Sequence, residues 1–174
     1  MVRGSEAAAV TVDFAEWVAA RGPSLLRLAY LLTGSSAEAE DVVQDALSRA
    51  LPRWSRISSL EDPDAYVRRM VINGHTSWWR RFRKRESPVE VLPDRGAADG
   101  AGLDEAARTD DRLLVWQACL RLPEDQRVAV VLRYWEQREY AEIAALTGVA
   151  EGTVRSRVSR GIAALRADLG DRDE

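Results

Sequence analysis

Residues 86–109 constrain the fold of this chain more than any other segment. The segment holds two prolines and three glycines, and it lacks an apolar stripe of helical spacing. That composition is typical of a linker, so we expect a flexible connection here. The linker then separates an N-terminal unit, residues 13–85, from a C-terminal unit, residues 110–170.

Both units are predicted to be helical, because their apolar residues recur at helical spacing and almost no stretch alternates apolar and polar residues as a strand would. Gly22 and Pro23 indicate a kink or a restart between two helical stretches. Gly34 is predicted to stop the second stretch, and Ser36 to cap the next helix. Residues 52–62 are predicted to be a loop before a long helix. The fold class is therefore all-α, with two small helical domains joined by the linker.

Composition excludes several classes of protein. The 174-residue chain contains one cysteine and one histidine, so we expect no internal disulfide, no metal site and no cofactor. Cys119 is predicted to be buried, and His75 to be partly exposed on a helix. No apolar run approaches the roughly 18 residues of a membrane span, and residues 1–14 lack the apolar stretch of a signal peptide, which favours a cytoplasmic protein.

The net charge of −3 hides two opposed blocks. Residues 66–85 contain seven basic residues and no acid, whereas residues 86–111 contain eight acids and two arginines. The average charge argues weakly against a nucleic-acid binder. The basic block argues for one, because charge concentrated on one segment can contact a nucleic acid whatever the sum.

The last third of the chain contains the spacing of a helix-turn-helix. Ala144 supplies the small side chain needed where two helices approach closely, and Gly148 lies four residues later, where the turn needs a positive φ. Val154 then begins the apolar stripe of the next helix. This Ala-x3-Gly-x5-Val pattern predicts a helix-turn-helix.

The second helix of this pair is predicted to present arginine and serine to a DNA groove. Thr153 opens it, and the buried stripe leaves Ser156 and Ser159 pointing outward between Arg155 and Arg160. Arg157 lies nearer the buried edge and is expected to pair with an acid or to reach a phosphate. A helical hairpin that never meets DNA is the alternative. The four arginines and the absence of acids in residues 152–167 favour DNA.

The basic block forms a second candidate contact. Arg69, Asn73 and Arg80 share one helix face, while Trp79 lies on an intermediate face. Arginines interleaved with aromatic residues suit single-stranded or melting DNA, because bases stack on rings while arginines hold phosphates. A solvated basic face with core tryptophans is the alternative.

These features together resemble a family. Two helical units, an acidic linker, a basic helix and a helix-turn-helix are similar to the extracytoplasmic-function sigma factors, and most of all to the actinobacterial SigE-like subgroup, over residues 14–85 and 112–169. The segment AEDVVQDAL resembles the region 2.2 helix that docks on the clamp helices of the polymerase β′ subunit. The resemblance implies that Asp41, Gln44 and Asp45 bind core polymerase.

The resemblance extends to both promoter elements. The basic helix resembles the region that melts and reads the −10 element, where Asn73 matches the family asparagine, and the loop that starts at Trp54 corresponds to the one that captures a flipped base. The helix-turn-helix resembles region 4, which reads the −35 element. Two departures are Glu151, an acid before the recognition helix, and Gly161-Ile162 in place of Ala-Arg. The residues implied at the −10 element are Trp54, Ser55, Arg56, Arg69, Asn73, Trp79 and Arg80.

The predicted function is that of a sigma factor, not an enzyme. The resemblance implies that the protein binds core RNA polymerase through the β′ clamp helices and the β subunit and directs promoter-specific initiation. The free protein is expected to be a monomer. An anti-sigma factor is a further candidate partner. Because the chain is net acidic and its recognition helix is expected to be short, we predict weak promoter binding by the free protein. A stand-alone helix-turn-helix regulator and a helical adaptor are the alternatives.

Overall fold

The computed structural model describes the backbone of residues 13–82 and 106–170 and the side chains of residues 13–77 and 112–170. Within these residues the regular structure is helical, which confirms the all-α prediction. Residues 86–105 of the predicted linker and the side chains of Trp79 and Arg80 lie outside the described residues. Residues 106–109, predicted as the end of the linker, are helical instead, so that boundary was wrong. The α-helices are α1 (Phe14–Thr33), α2 (Ser36–Ala50), α3 (Trp54–Ile57), α4 (Pro63–Phe82), α5 (Ala106–Leu120), α6 (Glu124–Tyr134), α7 (Tyr140–Thr147) and α8 (Glu151–Gly170).

The first helix does not restart at Gly22 and Pro23, so that part of the prediction was wrong. Pro23 lies inside a continuous α1. A proline removes one backbone hydrogen bond from a helix. The helix continues nevertheless, because Trp17 before Pro23 and Leu25 after it are both buried in the same core. Gly34 ends α1 as predicted, with φ of 78° and an N–H that donates to the Tyr30 carbonyl at 2.8 Å.

Two local predictions between α1 and α4 need correction. Ser35, and not Ser36, caps α2, because its Oγ accepts from the Glu38 N–H at 3.3 Å. Residues 52–62 are not simply a loop, since they include part of a 3₁₀ turn (Leu51–Arg53) and the whole of α3. The physical reason is burial: Trp54 and Ile57, one helical turn apart, both pack into the N-terminal core.

The N-terminal helices (α1–α4) and the C-terminal helices (α5–α8) meet in a shared core. Leu28 and Leu32 of α1 and Ile72 of α4 are at most 2% exposed. They pack in one cluster with buried residues of α6, α7 and α8. The boundaries of two separate units stay a prediction, whereas contact between the two sets of helices is a feature of the structure.

The lone histidine and the lone cysteine are both fully buried. This confirms the prediction for Cys119, and burial raises the pKa of its thiol to about 11, although nearby Arg127 acts in the opposite direction. The prediction for His75 was wrong. His75 follows Ile72 by three positions in α4, so the helix turns it toward the same buried side.

Gly161 allows α8 to pack closely on α6. A Cβ built at Gly161 would lie 2.7 Å from a methyl carbon of Val130, closer than real side chains approach. A weak helix former in mid-helix is thus explained by helix packing. At Gly152, also in α8, a built Cβ meets nothing within 4 Å.

We expect Gly161→Ala to destabilise the protein although alanine favours helix. The helix gains about 1 kcal/mol in propensity, but overpacking against Val130 costs about 1–3 kcal/mol. Urea unfolding followed by circular dichroism measures the difference. Gly152→Ala is the control and should be neutral or stabilising. Equal or greater stability of Gly161→Ala would contradict the close-packing interpretation.

Candidate promoter and polymerase interfaces

The last two helices form the turn that the spacing predicts. Gly148 follows α7 with φ of 72°, and its N–H donates to the Ala144 carbonyl at 2.8 Å. Four residues of α8 face the core, as predicted from the apolar stripe. They are Val154, Val158, Gly161 and Leu165.

The start of α7 is fixed by a carboxylate. The Glu142 side chain accepts the Glu139 N–H at 2.8 Å and pairs with Arg138 at 3.1 Å. These two hydrogen bonds, the backbone one first, hold the pKa of Glu142 below its ordinary value. The first helix of the pair is therefore anchored at its N-terminus, which fixes the position of the turn that leads to α8.

The predicted groove-facing residues of α8 are free of the core. Thr153, Ser156, Ser159 and Arg160 are exposed along one side of the helix, together with Arg155. Arg157 is partly buried, and its Nε lies 3.1 Å from the Asp125 carboxylate. The prediction that Arg157 pairs with an acid is therefore confirmed.

Arg155 is held in place by two groups. Its guanidinium nitrogen lies 2.5 Å from the Glu151 carboxylate, and its guanidinium carbon lies 4.4 Å from the centre of the Tyr140 ring. Arg133 lies over the same ring at 4.9 Å. The i,i+4 spacing of Glu151 and Arg155 was visible in the sequence. The role of Tyr140 was missed, because it depends on how α7 packs against α8.

The polar face of α4 differs in part from the prediction. Arg69 and Asn73 are exposed on one side of the helix, as expected. Arg68 belongs to the basic block, yet it is 6% exposed and pairs with both Asp64 and Glu136. Burial disfavours its charged form, but the two carboxylates outweigh that effect and raise the pKa of Arg68. Arg68 is therefore a structural cation and not a surface contact.

Trp54 is a core residue and not an exposed stacking platform. It is 7% exposed, and its ring centre lies 5.1 Å from that of Phe14 and 5.0 Å from that of Trp17. Base stacking on Trp54 would require the ring to leave this aromatic cluster. Ser55 and Arg56, which follow it, are exposed. The sequence could not separate these environments, because a tryptophan beside a predicted loop suits either.

Two of the three predicted polymerase-binding residues, Asp41 and Gln44, line an apolar groove between α1 and α2, and Asp45 does not. Asp41, Gln44 and Asp45 are exposed, and Asp45 pairs with Arg49 on the same helix. The groove encloses about 410 Å³. Sequence reasoning missed its apolar part, since Leu26 and Leu51 are 38% and 55% exposed and each reads as an ordinary helix residue. The groove is lined by Phe14, Leu26, Glu40, Asp41, Val43, Gln44, Leu47, Ser48 and Leu51.

Comparison with known proteins decides the family. Residues 17–86 match Sigma-70 region 2, and residues 112–165 match Sigma-70 region 4. The RNA polymerase sigma-E factor of Streptomyces avermitilis is 40% identical over 163 residues, which cover 93% of this chain and 88% of that protein. The chain belongs to the sigma-70 family.

Further relatives place this sigma factor in the extracytoplasmic-function group. The ECF sigma factor SigL of Mycobacterium tuberculosis is 35% identical, over 83% of this chain and 82% of SigL. The sigma factor RpoE of Bartonella quintana, solved in complex with the anti-sigma factor NepR, matches with a TM-score of 0.72 at 28% identity, over 91% of this chain and 97% of RpoE.

The chain is thus a factor for promoter-specific transcription initiation. Across the described residues, no helix has the length and apolar character that crossing a membrane requires. The same residues contain no group of three or more histidine, cysteine, aspartate or glutamate side chains suited to a metal ion.

Proposed function

We propose that this sigma factor uses three separate faces during initiation. The exposed side of α8 binds the −35 duplex, the exposed side of α4 with the α3 loop binds the −10 strand, and the groove between α1 and α2 binds core polymerase. The observation that carries the proposal is the recognition face of α8, where five exposed polar or basic side chains lie opposite a fully apolar buried stripe.

The −35 contact is assigned to Thr153, Arg155, Ser156, Ser159 and Arg160. Arginine can bind guanine edges with two hydrogen bonds, and serine and threonine can bind either bases or phosphates. Tyr140 and Glu151 hold the Arg155 guanidinium near the start of α8, where the helix N-terminus also favours phosphate. This arrangement supports a positioned contact made by a largely pre-ordered arginine.

The −10 contact is assigned to Arg69 and Asn73 on α4 and to Ser55 and Arg56 beside α3. Trp79 and Arg80 complete the set predicted from the sequence. Trp54 takes a different role: its ring is anchored among Phe14 and Trp17, so it fixes the position of the exposed residues that follow it. Capture of a flipped base requires such a rigid support, because unstacking costs a few kcal/mol.

Core binding is assigned to Asp41, Gln44 and Asp45 around the apolar groove, with the β′ clamp helices and the β subunit as the contacted parts of polymerase. We infer that the protein acts in the cytoplasm, is a monomer when free, and passes its acidic linker, residues 86–109, through the RNA exit channel. RpoE of Bartonella quintana was solved with an anti-sigma factor. By that likeness, an anti-sigma protein is proposed as a further partner.

The experiment that tests this function uses core RNA polymerase and sheared genomic DNA from the source organism. With the purified chain added, RNA 5′ ends should appear at a defined set of positions, and the upstream sequences should align into two elements of constant spacing. Core polymerase alone is the control. Failure of the chain to bind core, or transcripts with no shared upstream elements, would overturn the proposal.

We expect Asn73→Ala to reduce RNA synthesis about tenfold on a duplex promoter found in this way, since loss of one base contact costs about 1–3 kcal/mol. Because the residue is exposed, the fold should be unaffected. The defect should persist on a template with a premelted −10 region if Asn73 reads a base. Full recovery on that template would instead assign Asn73 to strand opening alone.

A further inference from the structure

We propose that Glu151 determines the selectivity of the −35 contact. Its carboxylate holds Arg155 in position for a base edge and keeps DNA phosphates away from the start of α8. This role rests on the proposed function, since it requires that α8 binds the −35 duplex through Arg155. It explains why an acid, which DNA repels, lies at the start of a helix that faces DNA.

The Arg155 guanidinium is held from two directions. One of its terminal nitrogens lies 2.5 Å from the Glu151 carboxylate, and its central carbon lies 4.4 Å from the centre of the Tyr140 ring. No other hydrogen bond joins this guanidinium to a described residue, and the side chain is 59% exposed. A guanidinium has five N–H donors in a fixed plane, so the remaining donors are available for the O6 and N7 atoms of a guanine.

The start of α8 would attract phosphate without Glu151. The methyl group of Ala150, just before the helix, cannot accept a hydrogen bond from the first N–H groups, which carry a partial positive charge. A Cβ built at Gly152 meets nothing within 4 Å, so the surface beside these groups is open. Glu151 is the first residue of α8, and its side chain is 43% exposed. A phosphate that approaches this surface therefore meets a like charge.

The charge of the recognition face is uneven. Beside Arg155, Arg133 lies over the same Tyr140 ring and pairs with Glu139 at 3.2 Å, so both arginines on this ring have a carboxylate partner. Arg160, further along α8, is exposed and pairs with no carboxylate among the described residues. The neutralised end of the recognition face is thus the end at which Glu151 lies.

Ordering Arg155 before DNA binds favours discrimination between bases. An exposed ion pair adds little to the stability of a fold, so stability alone gives Glu151 a small role. Binding is affected differently, because an arginine that is already ordered loses less conformational freedom in the complex. A contact to both acceptors of a guanine requires one orientation of the guanidinium, whereas phosphate oxygens can be approached from many directions. Glu151 therefore acts on the choice of partner.

Glu151→Gln keeps the size of the side chain and an oxygen that can accept from Arg155, but it removes the charge. We expect about threefold tighter binding to DNA of unrelated sequence, the effect of one charge at a helix N-terminus. The dependence of log affinity on log salt concentration should steepen by up to about one unit, because Arg155 becomes free to contact a phosphate. The preference for guanine at the base that Arg155 contacts should fall about threefold, the effect of one exposed ion pair.

Base preference is measured with polymerase holoenzyme and a pool of promoter duplexes randomised across the −35 element, by sequencing the bound DNA. The wild type should show, at one position, a preference for guanine that Arg155→Ala abolishes. Glu151→Gln should weaken the preference at that same position and at no other. Added to Arg155→Ala, it should change the base preference no further, because the carboxylate acts through Arg155.

Binding to unrelated DNA is measured with the full free chain and a labelled duplex, by fluorescence anisotropy at several salt concentrations. Asp168→Asn is the control, since it removes an acid of the same helix that pairs with Arg121 at the far end of α8. This variant should keep the wild-type base preference and salt dependence. Circular dichroism confirms that each variant is folded.

The role of Glu151 is refuted if Glu151→Gln keeps the wild-type preference for guanine, or if the preference changes at a different position, which would make Glu151 a base contact itself. Unchanged or weaker binding to unrelated DNA also refutes it. If Arg155→Ala leaves every −35 preference intact, the proposed −35 assignment of Arg155 fails together with this role. If Arg155→Ala abolishes a guanine preference that Glu151→Gln leaves intact, only the role of Glu151 fails.

Discussion

Replacing both Arg155 and Arg160 by alanine is expected to lower RNA synthesis from a −35-dependent promoter by about 100-fold or more. Each arginine that contacts a base is worth about 1–3 kcal/mol of binding free energy, and the two are separated by more than one helical turn, so their losses should nearly add. Both side chains are exposed, so the helix itself should remain folded. Run-off transcription with reconstituted polymerase measures the effect.

Two arginines of the same helix serve as controls. Arg166→Ala removes one exposed charge at the far end of α8 and should change RNA synthesis less than twofold. Arg157→Ala breaks the contact with Asp125 and should act mainly on stability. The salt dependence of −35 duplex binding then separates the roles of Arg155 and Arg160. Loss of a phosphate contact lowers the slope of log affinity against log salt concentration by about one unit. Loss of a base contact changes the preferred DNA sequence instead.

The sequence predicted those parts of the site that depend on one helix at a time. The buried stripe of α8 and the outward position of Ser156 and Ser159 follow from 3.6-residue periodicity alone. The left-handed turns at Gly34 and Gly148 follow from the residue type. Each of these features is fixed by neighbours within about five positions, so it can be recognised without knowledge of the packing.

The features that escaped prediction depend on contacts between distant residues. Arg68 looks like its exposed neighbour Arg69, but it is a buried cation that pairs with Asp64 and with Glu136, 68 residues later. Trp54 beside a predicted loop could stack on a base, and only Phe14 and Trp17 show that it belongs to the core. A charged or aromatic residue can therefore resemble a DNA contact in the sequence, although its tertiary contacts show that it stabilises the fold.

The same reasoning explains why weak DNA binding by the free chain need not follow from helix length. The recognition helix α8 runs over Glu151–Gly170, so the expectation of a short helix was wrong. The expectation of weak binding stays a prediction, and its remaining ground is the net charge of −3.

Reversing the charge of Asp41 and Asp45 is expected to abolish core binding at micromolar concentrations. Asp41→Lys with Asp45→Lys places two cations on the exposed side of α2 where the proposed function requires two anions. Loss of one charged contact in a buried interface costs about 2–5 kcal/mol, so the affinity for core should fall at least 100-fold. Fluorescence anisotropy of the labelled chain, titrated with core polymerase, measures this affinity.

The control variant, Glu16→Lys with Glu61→Lys, reverses two acids that do not line the groove. Its affinity for core polymerase should stay within about threefold of the wild-type value, because salt screens the effect of exposed charges away from an interface. Binding of the −35 duplex by α8 should be equal in both variants, because neither changes the helix-turn-helix. A groove variant that binds core normally would contradict the assignment of α2. Leu51 lines the groove and is 55% exposed, so Leu51→Ser tests the apolar part of the groove alone. If Leu51→Ser weakened core binding while the charge reversal did not, the binding energy would come from the apolar residues of the groove and not from its acids.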